Sequence, residues 1–218
     1  MSSSPAPRMK IGDFLLRRLN EAGVRHMFGV PGDYNLELLQ QLQDSGALKW
    51  ICVAHMLRIL NAARGAKLRV FYAMHHRYRP GDYESWKYIA PIQRAAWKNK
   101  SFEYGTWGGE IRTEFAPQPG EIVASEHWCS SGFANTDLDL QLKKHGIHQL
   151  IVIGLIAHTC VEATVRFAAE LGYDVTVVKD ATADYSDKEM HAALDINIPN
   201  YASAIISTEE IVASISVL

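Results

Sequence analysis

Long apolar runs, cysteine and net charge of either sign are all in short supply in this 218-residue chain. No stretch approaches the roughly 20 apolar residues that cross a bilayer, and the opening MSSSPAPRMK lacks the apolar centre of a signal peptide. The expectation is a cytoplasmic protein with no membrane role. The three cysteines, Cys52, Cys129 and Cys160, stand far apart with no C-x-x-C pair. That odd number and wide spacing predict neither a disulfide framework nor a zinc ribbon, and fit a reducing compartment. A formal net charge of -2 leaves no basic stripe for nucleic acid and no acidic tail. Metal binding has little support, because His75–His76 and His145/His148 are not joined by carboxylates at ligand spacing.

What is present is an alternation. Apolar segments at 24–30 (VRHMFGV), 68–74 (LRVFYAM), 121–125 (EIVAS), 149–155 (QLIVIGL), 174–180 (DVTVVKD) and 204–208 (AIIST) read as strands. Amphipathic stretches at about 10–22, 35–44, 55–65, 84–98, 135–145, 159–171, 187–195 and 209–216 read as the helices between them. Near-continuous apolar strands separated by such helices specify an α/β fold whose parallel sheet is covered on both faces. In these sheets ligands bind beyond the carboxyl ends of the strands. The chain is long enough for one full core, preceded by a Ser- and Pro-rich lead over 1–8 that is expected to be disordered.

One strand end carries a cysteine. QLIVI runs into GLIAHTCVEAT, so Cys160 falls where a buried strand turns into a helix. Unpaired N–H groups and the helix dipole favour an anion there, which would make the thiol partly thiolate at neutral pH. A cysteine so placed also reads as a small buried hydrophobe, and position alone leaves both readings open. The stretch 75–120 is dense in Trp, Tyr, His and Gly, with two Pro-Gly turns. A long aromatic connection after a strand reads as a binding loop, an oligomer contact, or aromatics packed on a neighbouring helix.

From about His55 onward the residues resemble a known family. The segments NAARGAKLRVFYAMHHRYRPGDYESW, GTWGGEI, FAPQPGEIVASEHWCSSGFANTDLDLQLKKHGI, GLIAHTCVEAT, ELGYDVTVVKDATADYS and MHAAL are similar, in this order, to the isochorismatase-like cysteine hydrolases. The resemblance implies a three-layer α/β/α sandwich with a mostly parallel, six-stranded, Rossmann-like sheet. It implies hydrolysis of a small amide, ester or vinyl ether without a cofactor, by a homodimer or homotetramer. Cys160 matches the nucleophile. The backbone N–H groups of Ile156 and Cys160 match the oxyanion hole, with a cis peptide between Leu155 and Ile156. On the motif VAxEHW the family's supporting lysine falls at Ser125, which carries no charge, and His127 is a nearby group able to supply some. His158, Trp107, Trp128 and His127 are the candidates for substrate contact, His158 being equally readable as a surface residue of the turn.

The family's opening strand, which ends in a general-base aspartate, has no match here. In its place MKIGDFLLRRLNEAGVRHMFGVPGDYNLELLQQLQDSGALKWI, residues 9–51, resembles the start of the thiamine-diphosphate-dependent 2-keto acid decarboxylases. That family activates its cofactor with a glutamate shortly afterwards, and here VAHMLRILNA puts His55 near that position. No second cofactor domain follows, so thiamine diphosphate and magnesium have no evident place. Two families are thus joined near Cys52, with 9–51 expected to pack into the same domain as a hydrolase segment over 52–218. VRHMFGV has the length and apolarity to fill a missing central strand, which would bring Asp33 near the place of the absent base. Asp33 also reads, more simply, as a turn residue after Pro-Gly and the N-cap of the helix at 35–44. Three functions remain in play: a cysteine hydrolase with weakened catalysis, a non-catalytic oligomeric relative, and a fragment of a thiamine-diphosphate-dependent decarboxylase.

Overall fold

The computed structural model describes residues 17–18, 20–21, 26–27 and 49–217. Contacts divide the chain into two units, Met1–Ile51 and Cys52–Leu218. In the first, β1 (His26–Met27) pairs in parallel with β2 (Lys49–Trp50). Glu21 holds Arg17 at 2.9 Å and Arg18 at 2.6 Å. Of the expected strand at 24–30, only His26 and Met27 are described; Asp33 and the expected helix at 35–44 lie outside the described residues.

The second unit follows the predicted alternation. α1 (Ile51–Gly65) starts at the boundary and leads to β3 (Phe71–Tyr72). α2 (Pro91–Asn99) and two single 3₁₀ turns cross to β4 (Ile122–Val123), and α3 (Leu138–Lys144) leads to β5 (Gln149–Leu155). A π turn (Ala157–Val161) and α4 (Glu162–Glu170) follow, then β6 (Asp174–Ala183), α5 (Asp187–His191), β7 (Ala204–Ile206) and α6 (Thr208–Ile215).

Every strand pair in this unit is parallel: β3 with β4, and β5, β6 and β7 in that order. Five strands thus form two sheets, of two and three strands, where the resemblance implies one sheet of six. β3 and β4 are shorter than the apolar segments that contain them. Their pairing continues less regularly, through Ala124 N–H to Tyr72 O at 3.0 Å and a bridge between His75 and His127.

β6 carries core on both faces because its side chains alternate. Val175 and Val177 pack with Leu138 and Leu142 of α3 and Val165 and Ala168 of α4. Val178 and Ala181 pack with Ile59 of α1 and Ile211 and Ile215 of α6. Helices therefore cover both sides of the sheet, and each fully buried aliphatic side chain contributes about 1.5–3 kcal/mol. The β5–β6 register runs from Val152 opposite Val177 to Gly154 opposite Thr182, so β6 bulges just before the end of β5. Among the described residues no helix is long and apolar enough to cross a membrane.

Candidate active site

The end of β5 sets the geometry around Cys160. Gly154 sits at φ 142°, a conformation that favours glycine, and the peptide joining Leu155 to Ile156 is cis. The chain then enters the π turn, closed by Val161 N–H to Ile156 O at 3.1 Å, before α4 begins. Cys160 is the fourth residue of that turn and is partly buried. The Ile156 N–H and the Thr159 hydroxyl, the latter 3.7 Å from Sγ, both favour its thiolate. Burial is the larger effect and pushes the thiol above its ordinary value, with Cys129 and Asp184 adding to the rise through space. The expectation of a partly ionised thiol at neutral pH is therefore corrected. The π turn draws Cys160 inward, and desolvation outweighs the few donors that reach it.

Asp184 lies one residue beyond β6, with its side chain 0% exposed. Its Oδ2 accepts the His158 N–H at 2.7 Å, and its Oδ1 accepts the Tyr185 N–H at 2.8 Å. The ring Nδ1 of His158 lies 2.8 and 2.7 Å from the same two oxygens. That contact fixes the ring orientation and leaves Nε2 as the open nitrogen. Glu189 of α5 joins the group: one ligand atom each from His158, Asp184 and Glu189 lie within 4.8 Å of one another. These are the donor types of a cation site. Here protein donors already hold them, since both Asp184 oxygens accept N–H groups and Glu189 accepts the Ser186 hydroxyl at 2.9 Å.

The segment after β4 forms the third part. Ser125 is exposed and donates to Asp137 Oδ1 from its N–H at 2.6 Å and its hydroxyl at 2.9 Å; among the described residues it makes no bond to Cys160. Glu126 is held by Arg77 Nε at 2.6 Å and by the Arg77 N–H at 2.9 Å. His127 is buried, and that burial, with His75 beside it, pushes its pKa down to about 4. It is therefore uncharged at neutral pH and does not stand in for the family's lysine. Trp128 stacks on His76 with ring centroids 3.6 Å apart and meets Trp86 at 5.2 Å and Tyr83 at 5.5 Å. Trp107 lies in a 3₁₀ turn, 37% exposed. Gly132 N–H donates to Thr164 Oγ1 at 2.9 Å, which ties this loop to α4.

Of the residues singled out in the sequence, the structure joins Ile156 to Cys160 and gives His158 a fixed partner. It does not join Ser125 to them, and Asp33 is outside the described residues. Asp184 was missed. The signal was available in its position just past the carboxyl end of a strand, where parallel sheets place their ligands. Residues 9–51, which carry the decarboxylase resemblance, lie mostly outside the described residues. His55, near the position of that family's glutamate, points its Nδ1 at Asp180 O, 2.9 Å away, and so packs onto β6.

The isochorismatase domain matches residues 50–210, and the chain belongs to that family. The N-terminal TPP-binding domain of thiamine pyrophosphate enzymes matches residues 9–69. A ureidoacrylate amidohydrolase of Caulobacter segnis is 31% identical over 198 residues, covering 86% of this chain and 80% of the relative. Among solved structures, N-carbamoylsarcosine amidase from Thermoplasma acidophilum is 25% identical with a TM-score of 0.58, covering 73% of this chain and 83% of that one. A cysteine hydrolase from Pseudomonas syringae shares the fold at 21% identity with a TM-score of 0.66, covering 89% and 92% of the two chains. Such relatives support a hydrolase.

Proposed function

We propose that the chain hydrolyses the C–N bond of a small ureido acid, using Cys160 as the nucleophile. The observation that carries this reading is the Ile156 N–H directed at the Cys160 sulfur where β5 ends. The names of two relatives, on ureidoacrylate and N-carbamoylsarcosine, suggest the substrate class. The thiolate of Cys160 adds to the ureido carbonyl, and the N–H groups of Ile156 and Cys160 receive the resulting oxyanion. The C–N bond breaks, the nitrogen leaves with a proton, and water then cleaves the thioester-type intermediate and returns the thiol. His158, Trp128 and Trp107 are taken as substrate contacts.

Catalysis is expected to be slow. The described residues near Cys160 include no matched base, and loss of a positioned base removes about a hundredfold to ten-thousandfold of rate. Asp33 is retained as a candidate for that role, and Ser125, bonded to Asp137, leaves the family's supporting cation without a counterpart. Cys160→Ala should abolish hydrolysis of ureidoacrylate, whereas Cys129→Ala should retain it. The raised Cys160 thiol favours a second reading, a non-catalytic oligomeric relative. Equal, background-level rates in the native protein and Cys160→Ala would establish that second reading. Under both, the protein is a homodimer or homotetramer, which light scattering decides.

A further inference from the structure

His127 is 4% exposed, lies beyond the carboxyl end of β4, and carries a ring Nδ1 with no hydrogen-bond partner among the described residues. Its backbone is fixed on both sides. The N–H donates to Met74 O at 2.9 Å, and the carbonyl accepts from His76 N–H at 2.8 Å. The ring stands edge-on to His75, with centroids 5.3 Å apart. A buried polar atom left unpaired costs about 1–3 kcal/mol. Native proteins retain few of them, and each calls for a water, an ion or a ligand, or a role in the chemistry.

The state of that nitrogen follows from the other side of the ring. A backbone group of Cys129 favours the protonated imidazole, so it takes a ring N–H. With Nδ1 unpartnered, that N–H belongs to Nε2. Burial keeps the ring neutral. Nδ1 is then a lone pair in a buried setting, able to accept an N–H and unable to donate.

Its place is the edge where the nucleophile sits. β3 and β4 run parallel and end at the His75–His127 bridge. The loop that follows carries Cys129, which acts on the Cys160 thiol through space, and Gly132, which bonds Thr164 of α4.

We propose that His127 is a substrate-binding residue whose unpartnered Nδ1 accepts a hydrogen bond from an N–H of the ureido group. This rests on the hydrolase reading above and narrows it. A primary ureido group offers N–H donors beside its carbonyl, whereas an ester or a vinyl ether offers none. His127 therefore selects C–N substrates over oxygen analogues of the same size.

The test is a binding measurement on Cys160→Ala protein, which cannot turn over, labelled with ¹⁵N-histidine. N-carbamoylglycine is titrated in one arm and monomethyl succinate, an ester without an N–H, in the other. The His127 Nδ1 resonance should move with the first probe and stay in place with the second. His127→Phe should weaken N-carbamoylglycine about tenfold and change monomethyl succinate by less than about twofold. His127→Asn, whose amide oxygen can accept, should recover part of the loss. If His127→Phe does not fold, the resonance of the native ring still decides. Equal weakening of both probes, an unmoved Nδ1 resonance, or no detectable binding of N-carbamoylglycine would overturn the assignment. Failure of the hydrolase reading would show separately, as turnover that survives Cys160→Ala.

Discussion

Asp184 holds His158 at two points, taking its backbone N–H at 2.7 Å and its ring Nδ1 at 2.7 Å with one carboxylate oxygen. The pair spans two elements, the π turn and the end of β6, and so fixes the turn that carries Cys160. The same carboxylate raises the Cys160 thiol from its ordinary value, behind the larger effect of burial.

Alkylation of Cys160 by iodoacetamide should therefore rise only at pH values above those needed for free cysteine. Asp184→Asn removes the negative charge and should move that profile toward lower pH. It should also destabilise the fold by about 1–3 kcal/mol, because an amide offers one acceptor oxygen where the carboxylate offered two. Peptide mass spectrometry of the Cys160 site gives the profile, and a thermal melt gives the stability. A profile that moves upward in Asp184→Asn would contradict the arrangement.

Alignment alone suggests that a lysine at position 125 would restore a cation beside Cys160. The structure directs it elsewhere. Asp137, held down to about 2 by the Ser125 N–H first and by Gln141 and the Ser125 hydroxyl, is an anion already in contact with this position. Ser125→Lys should leave the pH dependence of Cys160 alkylation unchanged. A clear downward shift would show that position 125 does face the thiol.

Glu121 is nearly buried and accepts from Arg64 Nε at 2.7 Å and Nη2 at 2.9 Å, from the Gln118 N–H at 2.7 Å and from the Tyr72 hydroxyl at 3.1 Å. Arg64 is the main cause that holds its carboxyl down to about 2. A carboxylate whose pKa is depressed on folding stabilises above its unfolded value and loses that contribution as pH falls toward the folded one. Stability should thus decline as pH drops from the ordinary glutamate range to about 2. Glu121→Gln should flatten that decline and cost about 2 kcal/mol near neutral pH. Circular dichroism melts across acid pH measure both effects.

Gly132 leaves no room for a side chain. A Cβ there would come within 2.9 Å of Ala73 Cβ and 3.4 Å of Thr164 Oγ1. Neither Ala73, just past the end of β3, nor the backbone of the loop can yield without moving. Gly132→Ala should destabilise by about 1–3 kcal/mol. It should also disturb the Gly132–Thr164 bond that ties the loop to α4, which amide exchange at Gly132 would report. Unchanged melting and exchange would show that the loop gives way freely.

The local elements were legible in the residues. QLIVIGL gave a strand with the boundaries of β5, and DVTVVKD started where β6 starts, because an apolar run with turn residues on either side has few other ways to bury itself. Cys160 at a strand-to-helix junction, and the motifs around it, were equally plain. Partners were not. Asp184 and His158 are separated by 26 residues, so only the parallel pairing of β5 and β6 brings them together. The ionisation of Cys160 depended on burial within a π turn, and the neutrality of His127 on the desolvation of its ring; neither is a property of the residue or its neighbours in sequence. The sequence by itself determined which segments form strands and helices and which cysteine stands at a sheet edge, since both follow from short-range patterns of apolar and polar side chains. Tertiary structure alone decided the charges and the pairings, because desolvation and hydrogen bonding across elements are set by what lies nearby in space.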